Sequence, residues 1–435
     1  MNFFNKALAL IFMVMMTMFA GVALAQDMNQ SNLTGSPYSR YGYGKLGSLG
    51  NASTKGMGDL GIALRSNNYT TIANPASLTA IDTLTMIFSI GLDADYSVLS
   101  ENGKTARDWD AGFSYMTFHF PLWRNTAMSL SLSPYTMVGY SYGDTEKIPV
   151  QSPINKHDTL GIASVYSGVG GINNMMMGLG YRALSAKMQE LSIGANVGFL
   201  FGTIQHGVAV TTTSQSNSTS IAHEMSVRGL YLQFGAQYTH RFNATRSMTI
   251  GATFQPKVNL SVDTEELKLS TDTIHFTNKY RSDIKSPMKF GFGASYNVAR
   301  QLTISAEYEF AQWSKVQGFK TDLTKSSDVF TDTHKFAVGA ELIPKSNSTR
   351  FWHNCRYRIG ASTKNSYMLI DDVKLNEISA SAGLSMPVNR RCFLDFAVGY
   401  DHLEPSKSNM LKENYITFTL GLTFNEMMFF RNKLR

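Results

Sequence analysis

The chain has 435 residues, of which 16% are charged and 12% aromatic, and its formal net charge is +7. A soluble domain usually has about 25% charged residues, so this composition is unusual for a soluble protein. The positive charges are spread along the chain rather than clustered. This argues against a nucleic-acid partner, because binding to a phosphate backbone needs Lys and Arg gathered on one face.

The first 25 residues have the three parts of a secretory signal peptide. Lys6 provides the positive start, residues 7–20 form an apolar run, and a small-residue cleavage site ends at Ala25. We therefore expect a mature chain that begins near Gln26. An uncleaved membrane helix is the alternative, which the shortness of the apolar run disfavours.

Residues 26–83 differ from the rest of the chain in showing little alternation and many glycines. They precede segments with the pattern of a β-barrel, whose lumen would be too wide for side chains alone to fill. We expect this segment to fold as a compact plug inside the lumen, and we call it the hatch. A loose periplasmic tail is the alternative. The glycines are Gly42, Gly44, Gly47, Gly50, Gly56, Gly58 and Gly61.

From residue 84 to residue 424, apolar residues alternate with small or polar ones, a period of two that predicts β-strands. After the signal segment, no stretch approaches the ~18 uninterrupted apolar residues of a membrane helix. Similar runs occupy residues 230–239, 288–297, 302–310 and 415–424. In one clear example Leu191, Ile193, Ala195, Val197 and Phe199 alternate with Ser192, Gly194, Asn196 and Gly198.

These strands fit a transmembrane barrel better than a soluble β-sandwich, which also produces alternation. The predicted segments are about ten residues long or longer, whereas soluble strands average about five or six. Aromatic residues lie toward strand ends, as in the interfacial girdles of membrane barrels. We therefore predict an all-β fold, a transmembrane antiparallel up-and-down β-barrel in the outer membrane. The aromatics are Trp109, Tyr115, Tyr238, Tyr296 and Tyr400.

The barrel is predicted to have about fourteen strands within residues 84–424, followed by a basic tail at 425–435. Short and long connections alternate, as expected for periplasmic turns and outer loops. The long connections are predicted at 143–171, 263–285 and 317–330, although 158–170 also fits a strand.

By the same alternation, a set of charged side chains faces the lumen. A lattice of ion pairs that anchors the hatch is the favoured interpretation, and a ligand site is the alternative, since charges in a lumen need partners. The set is Lys289, Glu307, Glu309, Lys335, Glu341, Arg356, Arg358 and Asp395.

Pro134 lies inside the third predicted strand. Proline lacks the N–H that a central strand needs, so it is confined to edges and bulges. A closed barrel has no edge, and Pro134 should therefore cause a kink or gap in the wall. The alternative is that Pro134 lies above the membrane, where the strand extends outside.

No motif in the chain predicts catalysis, a metal or a cofactor. Residues 42–47 match G-x-G-x-x-G, but without the strand, helix and acidic residue that dinucleotide binding requires. His223-Glu224 lacks the second His of a zinc-protease motif. We expect no enzyme, cofactor or metal site. Cys355 and Cys392 fall in strands that are not neighbours, so a disulfide is not favoured.

Several stretches resemble the FadL/TodX family of outer-membrane transporters for hydrophobic compounds, in its Bacteroidota branch. Residues 73–78 are similar to the Asn-Pro-Ala hatch motif of that family. The other similar stretches are 36–42, 170–173, 191–194, 312–316 and 424–426.

The resemblance implies a fourteen-stranded barrel with an N-terminal hatch, in which a ligand enters from outside and leaves sideways through a gap at the kinked third strand. It places Asn74, Pro75 and Ala76 at the hatch contact near that kink, and Pro134 is a plausible source of the kink.

Passive uptake of a fatty-acid-like or aromatic molecule is the function this resemblance implies, with outer-membrane lipid and a hydrophobic small molecule as partners. The alternatives are an adaptor for secreted proteins, similar to PorV, and a purely structural or adhesive barrel. The barrel-assembly machinery is the partner expected during biogenesis, and the sequence leaves the oligomeric state open.

Overall fold

The computed structural model describes residues 35–69, 71–149, 159–212, 218–270, 273–299, 301–316, 329–345, 348–370, 372–389, 392–407 and 410–427. The predicted signal peptide lies outside the described residues, as does most of the predicted basic tail. The last strand extends three residues past 424, to Met427.

β-Strands make up nearly all of the described chain. The short helices are the 3-10 turns Pro37–Arg40 and Pro75–Ala80 and the α-helical turns Ala52–Lys55 and Phe351–Asn354. Among the described residues, no helix is both long enough and apolar enough to span a membrane. The strands are β1 (Lys45–Leu46), β2 (Thr85–Glu101), β3 (Lys104–Trp123), β4 (Thr126–Pro149), β5 (Thr159–Ser185), β6 (Gln189–Thr212), β7 (Ser218–Arg241), β8 (Arg246–Gln255), β9 (Asn259–Ser270), β10 (Thr273–Lys285), β11 (Met288–Val298), β12 (Leu302–Gln312), β13 (Val329–Phe330), β14 (Thr333–Leu342), β15 (Arg356–Ile370), β16 (Val373–Pro387), β17 (Cys392–Pro405) and β18 (Lys412–Met427).

Within the described residues, these segments form a closed antiparallel barrel of fourteen strands, as predicted. Each strand pairs with its neighbour in sequence, and β18 pairs with β2 to close the ring. Three barrel strands are interrupted and consist of two segments each: β8 with β9, β10 with β11, and β13 with β14. Pro256 and Pro287 lie at the first two interruptions, as expected of a residue that cannot donate to a sheet ladder.

Two of the predicted long loops are wrong. β4 continues to Pro149 and β5 begins at Thr159, so most of 143–171 is strand, and 159–170 belongs to β5. The described residues of 263–285 belong to the paired strands β9 and β10 rather than to a loop. The period of two is weaker there because both faces of these strand extensions carry polar residues. Residues 317–328 of the third loop lie outside the described part.

The membrane-facing half of each strand follows the predicted alternation. Outward apolar residues form an exposed band around the barrel, and the small or polar residues between them face the lumen. Tyr115 is a correction to the predicted girdle: it points inward, is 2% exposed, and its hydroxyl accepts a hydrogen bond from the N–H of Ala52. Exposed members of the band include Leu230, Phe234, Ile250, Phe292, Ile304, Phe336, Val338, Ile359 and Ile378.

The described part of the hatch lies inside the barrel. Its side chains Tyr43, Met57, Leu60 and Leu64 are almost fully buried. The hatch has little regular structure, so its backbone polar groups must find partners in the wall. The hydrogen bonds between the hatch backbone and the wall therefore determine the geometry of the lumen.

Candidate functional site

Glu307 on β12 anchors the backbone of the hatch. Its carboxylate accepts hydrogen bonds from three consecutive backbone N–H groups, those of Gly61 (2.9 Å), Ile62 (2.7 Å) and Ala63 (3.0 Å). Three N–H groups from one turn of chain surround a negative charge that is 7% exposed. A buried carboxylate with such partners holds this part of the hatch at a fixed place on the wall.

Ion pairs also fix the hatch at several other places, three of them at 3.0 Å or less. Arg65 lies 2.5 Å from Glu190 of β6, and Lys55 lies 2.5 Å from Asp93 of β2. Asp59 pairs with Lys335 of β14 at 3.0 Å. Burial disfavours the charged form of Asp59, but the ammonium of Lys335 and the hydroxyl of Ser48 more than offset this and lower the pKa of Asp59.

Of the eight predicted inward charges, three lie in these contacts: Glu307, Lys335 and Glu309, which pairs with Lys335 at 3.3 Å. Three more form a wall cluster in which Arg358 donates to Glu341 at 2.7 Å and lies 4.0 Å from Asp395. Ser53 of the hatch donates to that Asp395. Lys289 and Arg356 lie over the aromatic rings of Tyr135 and Phe393.

The predicted hatch residues Asn74, Pro75 and Ala76 begin a 3-10 turn against the wall strands β5 to β8. The Asn74 side chain accepts from the N–H of Ala76 at 3.0 Å, and donates to the carbonyl oxygens of Ile62 at 2.7 Å and Ala236 at 3.3 Å. The turn can approach the wall closely because wall glycines face it. A Cβ on Gly194 would lie 2.6 Å from the carbonyl carbon of Pro75.

Pro134 lies in a different part of the wall. β3 and β4 pair from Trp123↔Thr126 up to Met116↔Leu132, and the pairing stops there. On the other side of β4, the ladder to β5 has a bulge between Pro134 and Thr136. Among the described strands, β3 above this point pairs with β2 alone. The wall is therefore split between β3 and β4, and we call this split the seam.

The hatch covers the seam with a strand of its own. Lys45 and Leu46 of β1 pair with Met137 and Thr136 of β4, and the N–H of Gly47 donates to the carbonyl oxygen of Tyr135 at 2.9 Å. Unpaired strand edges are not tolerated in the hydrocarbon layer unless protein covers them. The sequence reasoning missed β1, because two residues beside three glycines carry no alternation to find.

Apolar side chains line the lower end of the seam. Leu132 and Phe201 are buried there, with Phe113, Met116 and Met175 packed against them. The seam begins at residues 116 and 132, within the ~9–11 residues that a strand needs to cross the bilayer.

Behind the seam, the lumen contains a cavity of about 410 Å³. Apolar residues such as Leu46, Phe113 and Met137 line the side toward the seam, and Pro134 lies there too. The rest of the lining includes charged residues of both signs and the aromatic pair Trp313 and Tyr367, whose rings stack at 4.3 Å. The charged residues include Asp93, Asp95, Asp110, Glu309, Glu377, Asp401, Lys45, Lys55, Lys289, Lys335 and Lys364.

The structure therefore brings Pro134 to the cavity and places Asn74, Pro75 and Ala76 on the wall of β5 to β8, away from the cavity lining. Within the described residues, no group of His, Cys, Asp and Glu is arranged to hold a metal ion. Cys355 and Cys392 are free thiols.

Comparison with known proteins gives a family and a fold. The model of the BamG family matches residues 7–435. No curated protein matches the chain in sequence.

Solved structures match over most of their length at low identity. A FadL homologue of Pseudomonas aeruginosa is 11% identical with a TM-score of 0.57, over 88% of this chain and 99% of that one. The CymD monoaromatic hydrocarbon channel is 14% identical with a TM-score of 0.56, over 88% and 98%. The toluene transporter TbuX of Ralstonia pickettii is 14% identical with a TM-score of 0.54, over 87% and 98%. At this identity the likeness establishes the shared fold.

Proposed function

The chain belongs to the BamG family, and we propose that it is a passive outer-membrane channel for small, mainly hydrophobic molecules. Its fold is that of proteins described as hydrocarbon channels and a toluene transporter. The ligand would enter the cavity from outside and leave sideways through the seam into the membrane.

The seam is the observation that carries this proposal. A closed wall gives a hydrophobic molecule no route from the lumen to lipid, whereas a split wall lined by Leu132, Phe201 and Phe113 does. Leaving water for lipid gains about 25 cal/mol per Å² of apolar area, so no energy source is needed. Because β1 covers the seam, release would require the hatch strand to move.

The lining of the cavity narrows the class of ligand. A purely apolar molecule would lie against charged side chains such as Asp110 and Lys289 and could not compensate either charge, which costs free energy. A molecule with an apolar body and a polar end, such as a fatty acid or a phenol, suits both sides of the cavity. No catalysis is proposed.

A disulfide lock tests this proposal. Leu46 and Thr136 face each other across the β1–β4 pairing, so the variant Leu46→Cys/Thr136→Cys, with Cys355 and Cys392 replaced by Ser, would tie the hatch to the wall. Uptake of a fluorescent fatty acid into proteoliposomes should fall at least tenfold on oxidation and recover on reduction.

The matched control is Ala361→Cys/Ala380→Cys, because these two residues face each other in the regular part of the β15–β16 ladder. Its oxidation should leave uptake unchanged. If the β1–β4 lock also leaves uptake unchanged, the seam is not the route.

A second candidate is an adaptor that holds another protein at the outer membrane. The observation that favours it is the fixation of the hatch by Glu307, Glu190, Asp93 and Lys335 on separate strands, together with the charged residues in the cavity lining. Purification of the full chain under mild conditions should then recover stoichiometric protein partners, while hydrophobic uptake is unaffected by the lock.

A further inference from the structure

Three lysines meet at the interruptions of two wall strands. Lys257 lies in the short link between β8 and β9, and its Nζ donates to the backbone carbonyl of Lys315 at 2.9 Å. Lys285 ends β10 on the other side of the same link, where the N–H of Ser286 donates to the carbonyl of Val258 at 2.9 Å. All three lysines are exposed. We call them the lysine triad.

The triad holds like charges together. The ammonium groups of Lys285 and Lys315 both repel that of Lys257. Two carboxylates lie near: Asp283 accepts from the Ser261 hydroxyl at 3.2 Å, and Asp332 accepts from the Ser314 N–H at 2.9 Å. Among the described residues, neither forms an ion pair with a lysine of the triad, so the repulsion is not relieved within this part of the chain.

The backbone fixes the triad in place. Tyr43 of the hatch donates to the carbonyl of Lys285 at 3.2 Å, and Trp313 and Val316, on either side of Lys315, are buried. Three separate segments of chain are thus held to one another, and the backbones that carry the three lysines stay close together.

The height of the triad on the barrel points to its ligand. β8 spans ten residues from its periplasmic end at Arg246 to Gln255, which is one membrane-crossing length. Its outward residues are apolar up to Phe254, whose ring packs on Phe290 of β11 at 5.0 Å. Lys257 follows directly. The triad therefore lies where the lipid chains end and the headgroups of the outer leaflet begin.

We propose that the lysine triad binds the phosphate group of a lipid in the outer leaflet, with the acyl chains lying along Phe254 and Phe290. A phosphate would accept hydrogen bonds from all three ammonium groups and relieve their repulsion. The site lies on the outside of the barrel, and does not depend on the proposed channel function.

The test compares lipid retention by the full-length barrel purified in detergent. The variant Lys257→Gln/Lys285→Gln/Lys315→Gln removes the triad. Its matched control, Lys104→Gln/Lys268→Gln/Lys374→Gln, removes three exposed lysines elsewhere on the outer part of the barrel. Each protein is incubated with diphosphorylated lipid A, and bound lipid is counted by native mass spectrometry.

Wild type and control should retain lipid A equally, and the triad variant should bind it about 10- to 100-fold more weakly, since each surface lysine contributes on the order of tenfold or less. Equal retention by all three proteins would overturn the proposal. Inorganic phosphate is the second probe. If phosphate competes with lipid A for the triad at a concentration equal to that of lipid A, the ligand is free phosphate and the lipid assignment is wrong.

The heat-modifiable mobility of the barrel on gels verifies folding. If the triple variant loses this mobility, the three single variants are tested instead. Each single variant should bind lipid A several-fold more weakly than its matching single control. Single variants that bind like the controls would also overturn the proposal.

Discussion

The lower and outer halves of the barrel wall are built differently. In the lower half every strand is paired on both sides, and the inward face carries glycines and carboxylates that hold the hatch. In the outer half the wall is split at the seam between β3 and β4 and interrupted at Pro256 and Pro287. The comparison shows that the wall is continuous where it holds the hatch and incomplete where β1 takes the place of a wall strand.

Loss of the Glu307 carboxylate is the largest expected effect. Glu307→Ala leaves three buried N–H groups of the hatch without an acceptor, and should destabilise the closed hatch by about 3 kcal/mol or more. The temperature at which the barrel loses its heat-modifiable gel mobility should fall. Glu309→Ala on the same strand is the control, since that carboxylate is half exposed and should matter by less than about 1 kcal/mol.

A methyl group added to a wall glycine that contacts the hatch should be nearly as disruptive. Gly194→Ala would place a Cβ 2.6 Å from the backbone of Pro75, so the Asn74–Ala76 turn must move, at about 1–3 kcal/mol. Trypsin should then cleave the hatch at Arg65 more rapidly.

Gly399→Ala is the matched change, because its Cβ would find its nearest neighbour, Thr417, at 3.9 Å. Equal trypsin sensitivity of the two variants would show that the glycines of β6 are not needed for the hatch to approach the wall.

Acid should loosen the anchor that Asp59 forms with Lys335. The pKa of Asp59 is lowered in the folded protein by Lys335, so its stabilising contribution is complete above the ordinary aspartate pKa of about 4 and is lost as the pH falls through the lower folded value. Pepsin digestion of the hatch at decreasing pH should accelerate in that window. In Asp59→Asn the hatch should be looser at neutral pH, and its digestion should lack the Asp59 step; a profile unchanged from wild type would contradict this.

The sequence predicted the features that rest on a repeating pattern, and it missed contacts that occur only once in the fold. Alternation of residues such as Leu191 and Ile193 predicted the strands, their inward face and the barrel, because a period of two is a property of the strand alone. It also identified Glu307 and Lys335 as inward charges. It could not find β1, the partners of Asn74, or the lysine triad, since Lys257, Lys285 and Lys315 come together only through the interruptions of β8–β9 and β10–β11.

Restoring an N–H at Pro134 is the subtlest test of the outer half. Pro134→Ala removes the residue that coincides with the bulge in β4, and the β3–β4 ladder should extend by one or two pairs beyond Met116↔Leu132. A narrower seam should reduce fatty-acid uptake several-fold while leaving the gel mobility and trypsin sensitivity of the hatch unchanged. Pro121→Ala, at the lower end of β3, serves as the control. If Pro134→Ala transports like wild type, the seam is set by the hatch strand β1 rather than by the proline, because β1 would still occupy the edge of β4 at Thr136 and Met137.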